Sequence, residues 1–359
     1  MNKFNHNKMF KSALSVIITF SIVFSSFSFN AYADSENDPT GFGVNDMSYG
    51  MAKIAVPLMN GVFDVVNLLS GAVEIWSCLD GKVYKNLSYG EYDVQKYDLY
   101  IPHGLDKSQP QGVLLFIHGG TWTMGKKEHM AWAAARFAKR GYISVTMNYN
   151  LASQGNDDVA KATGSKPDAD VFDMLNDVTL CISSVNKRLN ELGYVADSLA
   201  LSGVSAGSHI AALYTYSRYS ESEIPIKMLF NITTPVGFHN GTFDNYSPAE
   251  VAQYASIVAG EIITEENIIN PDDKAEALLN SISPVSHINE NSVPTLLGFA
   301  GKDKTIGTNQ FNTIKPVLDK YEVENDVIWW KNSDHTLMLD PFSMLQWTAK
   351  VSEWLEIYM

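Results

Sequence analysis

Ser198-Leu-Ala-Leu-Ser-Gly-Val-Ser-Ala-Gly-Ser-His209 is the stretch on which the reading of the whole chain depends. A short apolar run ends in Gly203-Val204-Ser205-Ala206-Gly207, and a helical pattern, Ile210-Ala211-Ala212-Leu213, follows at once. A strand that turns this abruptly into a helix needs small residues on both sides of the turn, because larger side chains would collide there. The start of the helix also aims unpaired N–H groups and the positive end of its dipole at the serine between the glycines. Gly-x-Ser-x-Gly is weak evidence by itself. Its meaning depends on whether the chain also supplies a base, an acid and further N–H donors for Ser205.

The surroundings have the right alternation. Gly112-Val-Leu-Leu-Phe-Ile-His118 contains a continuous apolar run of the kind found in strands buried on both faces, and Tyr142 to Met147, Ile226 to Ile232, Thr295 to Ala300 and Asp326 to Trp330 read in the same way. Between them the periodicity predicts helices at His129 to Arg140, closed by Gly141, at Lys166 to Leu192, at Asn309 to Tyr321 with a kink at Pro316, and at Pro341 to Tyr358. Strands alternating with helices predict an α/β fold whose central sheet is mostly parallel and covered by helices on both faces. Val83 to Ser88 and Gln95 to Ile101 alternate like edge strands. Residues 238–291 are polar with helical patches at Ala249 to Ile263 and Asp272 to Leu279, which predicts an insertion or small cap. From Met51 to Trp76 apolar residues recur at helical spacing, with Pro57 and Gly61 weighing against one unbroken helix; the segment would either pack on the domain edge or form part of a lid.

A serine hydroxyl is a poor nucleophile near neutral pH and needs a base in hydrogen-bond reach, itself held by a carboxylate. In α/β sheets such groups come from loops at the carboxyl ends of strands. Two late loops qualify, Gly301-Lys302-Asp303-Lys304 and Lys331-Asn332-Ser333-Asp334-His335. They give the order Ser205, Asp303, His335, with Asp334 and Asp326 as competing acids. Asp334 would have to fold back on its neighbour to reach the ring. Oxyanion donors, each worth about 3 kcal/mol, are expected from the N–H of Ala206 and from the loop His118-Gly119-Gly120-Thr121-Trp122, where Gly119, Gly120 and Thr121 leave room for a ligand.

The totals exclude other classes. The chain has 359 residues, 45% of them hydrophobic, which is enough for a large core. Residues 1–33 carry Lys3, Lys8 and Lys11, then an apolar run from Ala13 to Phe29, then Ala31-Tyr32-Ala33. This is the pattern of a secretion signal cleaved after Ala33, with an N-terminal membrane anchor as the alternative. The segment holds no acidic residue, so its loss takes the formal charge from -14 to -17. The signal pattern implies a mature chain outside the cytoplasm, and one this acidic is expected to have no nucleic-acid partner and no membrane association. Residues 34–90 read as a leader and helical segment, and 91–359 as one domain. Two cysteines, Cys78 and Cys181, give no disulfide framework; they could pair, or Cys181, on an apolar helix face, could be a buried thiol. No Cys/His cluster has metal-ligand spacing.

From about residue 92 onward the chain resembles an α/β-hydrolase of the esterase/lipase group. The resemblance rests on Tyr97-Asp-Leu-Tyr-Ile-Pro102, His118-Gly-Gly-Thr-Trp122, Asn148-Tyr-Asn-Leu-Ala152, the Ser205 turn, Ser283-Pro-Val-Ser286, Gly301-Lys-Asp303 and Asp334-His335. The His-Gly-Gly-x-Trp form is similar to that of bacterial feruloyl and acetyl-xylan esterases, carboxylesterases and kynurenine formamidases. It implies a Ser205–His335–Asp303 acyl-enzyme mechanism on small-molecule or carbohydrate-linked esters, with no cofactor. Amide hydrolysis, or a binding protein that has kept the fold, are the alternatives. Three departures bear on substrate range: Thr121 replaces a third glycine, Asn150 stands where arginine is frequent, and Asp334-His335-Thr336 replaces a Gly-His-Gly-type run. Specificity is expected from 238–291 and 51–76, with Trp122, Phe238 and Tyr246 as candidate pocket aromatics.

Overall fold

The computed structural model describes residues 48–69, 74–337 and 340–359. The expected secretion signal and its cleavage site lie outside these residues. Helix α1 (Tyr49–Leu69) is one helix running through Pro57. Among the described residues eight strands follow: β1 (Gly81–Ser88), β2 (Lys96–Pro102), β3 (Gln111–Ile117), β4 (Ile143–Met147), β5 (Ala196–Gly203), β6 (Ile226–Ile232), β7 (Thr295–Ala300) and β8 (Asn325–Trp330). They form one sheet in the order β1-β2-β4-β3-β5-β6-β7-β8. β1–β2 and β2–β4 are antiparallel and every other pair is parallel.

Alternate side chains of the central strands feed two cores. Leu115, Ile117, Leu199, Leu201 and Leu297 point to one face, where α4 (Val171–Glu191) and α5 (Ala206–Ser217) lie; Leu114, Phe116, Ala200, Phe230 and Leu296 point to the other, against α2 (Ala131–Ala138) and α10 (Pro341–Tyr358). This two-faced burial explains why the strands read as continuous apolar runs. It also corrects the edge assignment of the second strand. β2 is flanked on both sides, and its carboxylate, Asp98, is buried against Lys127 Nζ at 3.0 Å.

Helix boundaries follow their caps. α4 starts at Val171 rather than Lys166, because Asp170 and Asp173 form a reciprocal capping box. Ahead of it a short helix, α3 (Asp157–Thr163), is capped by Asn156 and was not expected from the sequence. Residues 127–130 form a 3₁₀ turn before α2. The insertion contains α6 (Pro248–Ala259), α7 (Glu265–Ile269) and α8 (Asp273–Ile282), and α9 (Asn309–Lys320) is a single helix containing Pro316. Cys181 is a buried free thiol and Cys78 an exposed one.

The strand order positions the site. From β3 the chain moves to β4 on one side, then crosses back to β5 on the other. The carboxyl ends of β3 and β5 therefore border the crevice where connections diverge, the usual ligand position in open α/β sheets. The parallel register sets Ile117 opposite Gly203, so the His118 loop and the Ser205 turn start side by side.

Candidate active site

Ser205 sits at the turn with φ 56 and ψ -124, a conformation that non-glycine residues rarely adopt. The turn is clamped from several directions. Ser205 N–H donates to Ile232 O at 3.1 Å, and Ser208 Oγ donates to Ser205 O at 2.5 Å. The buried Asn231 side chain accepts from Gly203 N–H at 2.9 Å and donates to Ser208 O at 2.8 Å. A Cβ on Gly203 would fall 2.3 Å from Gly207 C, and one on Gly207 would fall 2.2 Å from Ile117 O. Both glycines are thus required by space, as the small-residue argument anticipates.

The structure brings His335 and Asp303 to this serine. His335 Nε2 lies 3.0 Å from Ser205 Oγ, and His335 Nδ1 lies 2.8 Å from Asp303 Oδ2. A carboxylate can only accept, so the proton is on Nδ1 and Nε2 is left free to receive the serine proton. Asp303 is buried, which alone would raise its pKa, but His335 and the N–H groups of Ile306 and Thr305 outweigh burial and hold it below the usual carboxylate value. Those N–H groups donate to Asp303 Oδ1 at 3.0 and 2.8 Å. For His335, burial favours the neutral ring, yet the charge and hydrogen bond of Asp303, with a smaller effect of Asp334, raise its pKa above 6.5. The two loops are tied together by Lys302 N–H donating to Ser333 O at 3.0 Å.

The competing acids are engaged elsewhere. Asp334 Oδ1 accepts from Thr336 N–H at 3.0 Å and from its hydroxyl at 2.5 Å. Asp326 faces Lys350 at 3.4 Å. His118 is a buried structural group: its ring stacks on Tyr149 at 4.3 Å, Nδ1–H donates to Gly119 O at 2.9 Å, and burial lowers its pKa to about 3.

The expected oxyanion loop lies against the serine. Gly119 is so close that a Cβ there would come 2.7 Å from Val204 O and 3.3 Å from Ser205 Cβ. Gly120 has φ 127, and Thr121 and Trp122 are both left-handed at φ 49 and 63. Two successive strained non-glycine residues persist only where their surroundings hold them. Here Thr123 and Met124 N–H donate to Gly120 O, and Ala152 N–H donates to Trp122 O at 2.9 Å. Ala206 opens α5, where its N–H lies in the unpaired first turn.

Ser205 opens into a narrow cleft lined by Thr121, Trp122, Phe243, Tyr254, Thr305 and Ile306, with about 270 Å³ of space including its mouth. Of the three candidate aromatics, for each of which packing is the stronger reading from sequence, Trp122 alone lines it. Phe238 is fully buried behind Trp122, and Tyr246 packs on Tyr254 from outside, with ring centroids 5.2 Å apart. Sequence reasoning missed Phe243 and Tyr254, for which it offered no signal, and also Asn231 and the backbone donors of 305–306. A lone asparagine in the apolar β6 run and an aspartate two residues before a threonine were the available signals.

The topology, the serine turn and the opposed loops define an α/β-hydrolase of the esterase/lipase group. Within it, the chain belongs to the BD-FAE family, whose model matches residues 97–318. It is 32% identical to a probable isoprenylcysteine alpha-carbonyl methylesterase of Oryza sativa subsp. japonica over 131 residues, 36% of this chain and 28% of that protein. It is 27% identical to a kynurenine formamidase of Salmo salar over 139 residues, 39% of this chain and 40% of that one. Among solved structures it is similar to inhibited esterase B from Lactobacillus rhamnosis, with a TM-score of 0.60 and 16% identity, covering 85% of this chain and 98% of that one. The chain spans between about a quarter and somewhat over half of the length of the curated relatives it matches.

Proposed function

We propose that this chain is a serine hydrolase that cleaves carboxylic esters through an acyl-enzyme intermediate. The observation that carries the proposal is the continuous path from Ser205 Oγ through His335 to Asp303, at 3.0 and 2.8 Å. Ser205 Oγ attacks the acyl carbon while His335 Nε2 takes its proton. The oxyanion is held by the N–H of Ala206 and by those of the 119–121 loop. The imidazolium then protonates the leaving alcohol, the ester of Ser205 remains, and water activated by the same ring releases the acid and restores the serine. The family and its esterase-named relatives support the same reaction.

Hydrolysis of p-nitrophenyl acetate by the wild type and by Ser205→Ala tests this. A loss of about 10⁴-fold or more is expected; equal turnover would overturn the proposal. Labelling of Ser205 by a fluorophosphonate would separate an enzyme from a binding protein on the same fold. The similarity to a kynurenine formamidase favours amide hydrolysis as a second reading. A higher kcat/KM on N-formyl anilides than on phenyl esters would decide for it. Export with cleavage after Ala33 is proposed on the residue pattern of 1–33, and would be checked by cell fractionation and by a mature N-terminus at Asp34.

A further inference from the structure

Trp122 is a conspicuous residue to find in the cleft wall. It is left-handed, almost fully buried and large, and its indole N–H needs an acceptor. That acceptor is His209. Trp122 Nε1–H donates to His209 Nδ1 at 3.2 Å, and His209 Nε2 lies 2.8 Å from Ile282 O, at the end of α8 in the insertion. Indole nitrogen is only a donor and a carbonyl only an acceptor, so one neutral tautomer, protonated on Nε2, satisfies both contacts. Burial lowers the His209 pKa to about 4, so this arrangement persists across the neutral range. The two rings meet edge to face at 5.4 Å, and Phe238 closes the back of both at 6.0 and 5.4 Å.

His209 lies four residues after Ser205 on the first turns of α5, and its N–H donates to Ser205 O at 3.0 Å. Both of its ring nitrogens are engaged away from the serine hydroxyl and the His335 ring. Its contacts run from the insertion to the wall of the cleft. We propose that His209 is a positioning residue for acyl-chain selectivity: it fixes Trp122 against the insertion so that the cleft beside Ser205 admits only short acyl groups. The inference rests on the ester-hydrolase reading. Only about 20 Å³ of the cleft is open to the centre of a water-sized sphere, far less than in a drug-sized ligand pocket.

The test uses p-nitrophenyl acetate, butyrate and octanoate, which share a leaving group, so that only the acyl side varies. The wild type should prefer acetate and butyrate. His209→Leu conserves bulk but removes both hydrogen bonds, so it should raise the octanoate-to-acetate ratio of kcat/KM by about tenfold or more while the acetate kcat stays within about threefold. His209→Gln offers one acceptor and one donor in similar positions and should return the ratio to within about threefold of the wild type. Melting curves establish that each variant is folded. If His209→Leu does not fold, Trp122→Phe, which removes the N–H and trims the wall, must raise the ratio in the same direction. An unchanged ratio in whichever of the two is read, or a shift in His209→Gln as large as in His209→Leu, overturns the inference with the ester reading intact. A wild type inactive on all three esters overturns both.

Discussion

Replacing Asp303 by asparagine separates the roles of charge and geometry in the Ser205–His335–Asp303 chain. Asp303 Oδ1 accepts two backbone N–H groups, from Thr305 and Ile306, so an asparagine there is forced to keep its carbonyl oxygen on that side and turn its amide NH₂ toward His335. An NH₂ group facing Nδ1 selects the ring tautomer protonated on Nε2, which cannot take the serine proton. The variant also loses the attraction between the carboxylate and the imidazolium that forms during attack. For charges about 4 Å apart at an effective dielectric constant of 20 this is about 4 kcal/mol, or roughly three decades in rate. With the wrong tautomer added, kcat on p-nitrophenyl acetate should fall about 10³- to 10⁴-fold. The sign of the pH effect is fixed too. Asp303 raises the His335 pKa and only the neutral ring is a base, so activity falls as pH drops through that raised value. Without the carboxylate the acid limb of kcat/KM should move to lower pH. Asp334→Asn removes the charge with the smaller effect on the His335 ring and should cost no more than about threefold. A residual Asp303→Asn activity above a tenth of the wild type, an unmoved acid limb, or a larger loss in Asp334→Asn would refute the assignment.

Two further outcomes follow from groups outside the reacting chain. Asp177 is buried and accepts from Asn150 N–H, Asn150 Nδ2 and Gln95 Nε2, and burial raises its pKa to about 6. Because the folded value lies above the unfolded one near 3.8, this group contributes most below the unfolded pKa. Relative to Asp177→Asn, the wild type should lose about 2 kcal/mol of urea-unfolding stability as pH rises from about 4 to 6.5; parallel curves would rule this out. Gly207→Ala would drive a methyl into the Ile117 and His118 carbonyls, backbone atoms that cannot step aside. It should lower stability by about 1–3 kcal/mol in denaturant titration and reduce esterase activity more than Gly241→Ala, whose site has open space around it but a positive φ.

The fold was legible because the central strands are buried on both faces and the helices between them carry strong apolar periodicity. Boundaries were read less well where local polar chemistry overrides that periodicity. The Asp170–Asp173 box moves the start of α4, and Asn156 caps a helix with little apolar pattern of its own. Ser205, Asp303 and His335 were nameable because strand ends place them, and chain order carries that information. The cleft was not nameable in the same way. Phe243 and Tyr254 come from an insertion whose path across the sheet is set by tertiary contacts, and the choice between Phe238 and Phe243 depends on which ring faces out.

The N-terminal helix shows the same limit from another side, since it lies outside the family match at 97–318 and its sequence favours packing on the domain edge over a lid without excluding the lid. Among the described residues, none of this helix lines the cleft. It holds instead the segment that follows the oxyanion loop: Asn60 Oδ1 accepts from Gly125 N–H at 3.1 Å, Asn60 O lies 3.2 Å from His129 Nε2, and Asp64 pairs with Lys126 at 2.7 Å. The far end of the helix is tied to α3, with Tyr49 N–H donating to Asp158 at 3.0 Å. A helix that closed over the cleft as a lid would have to release these contacts. Its contacts make the segment a brace on residues 125–129, the stretch that follows the 119–122 loop.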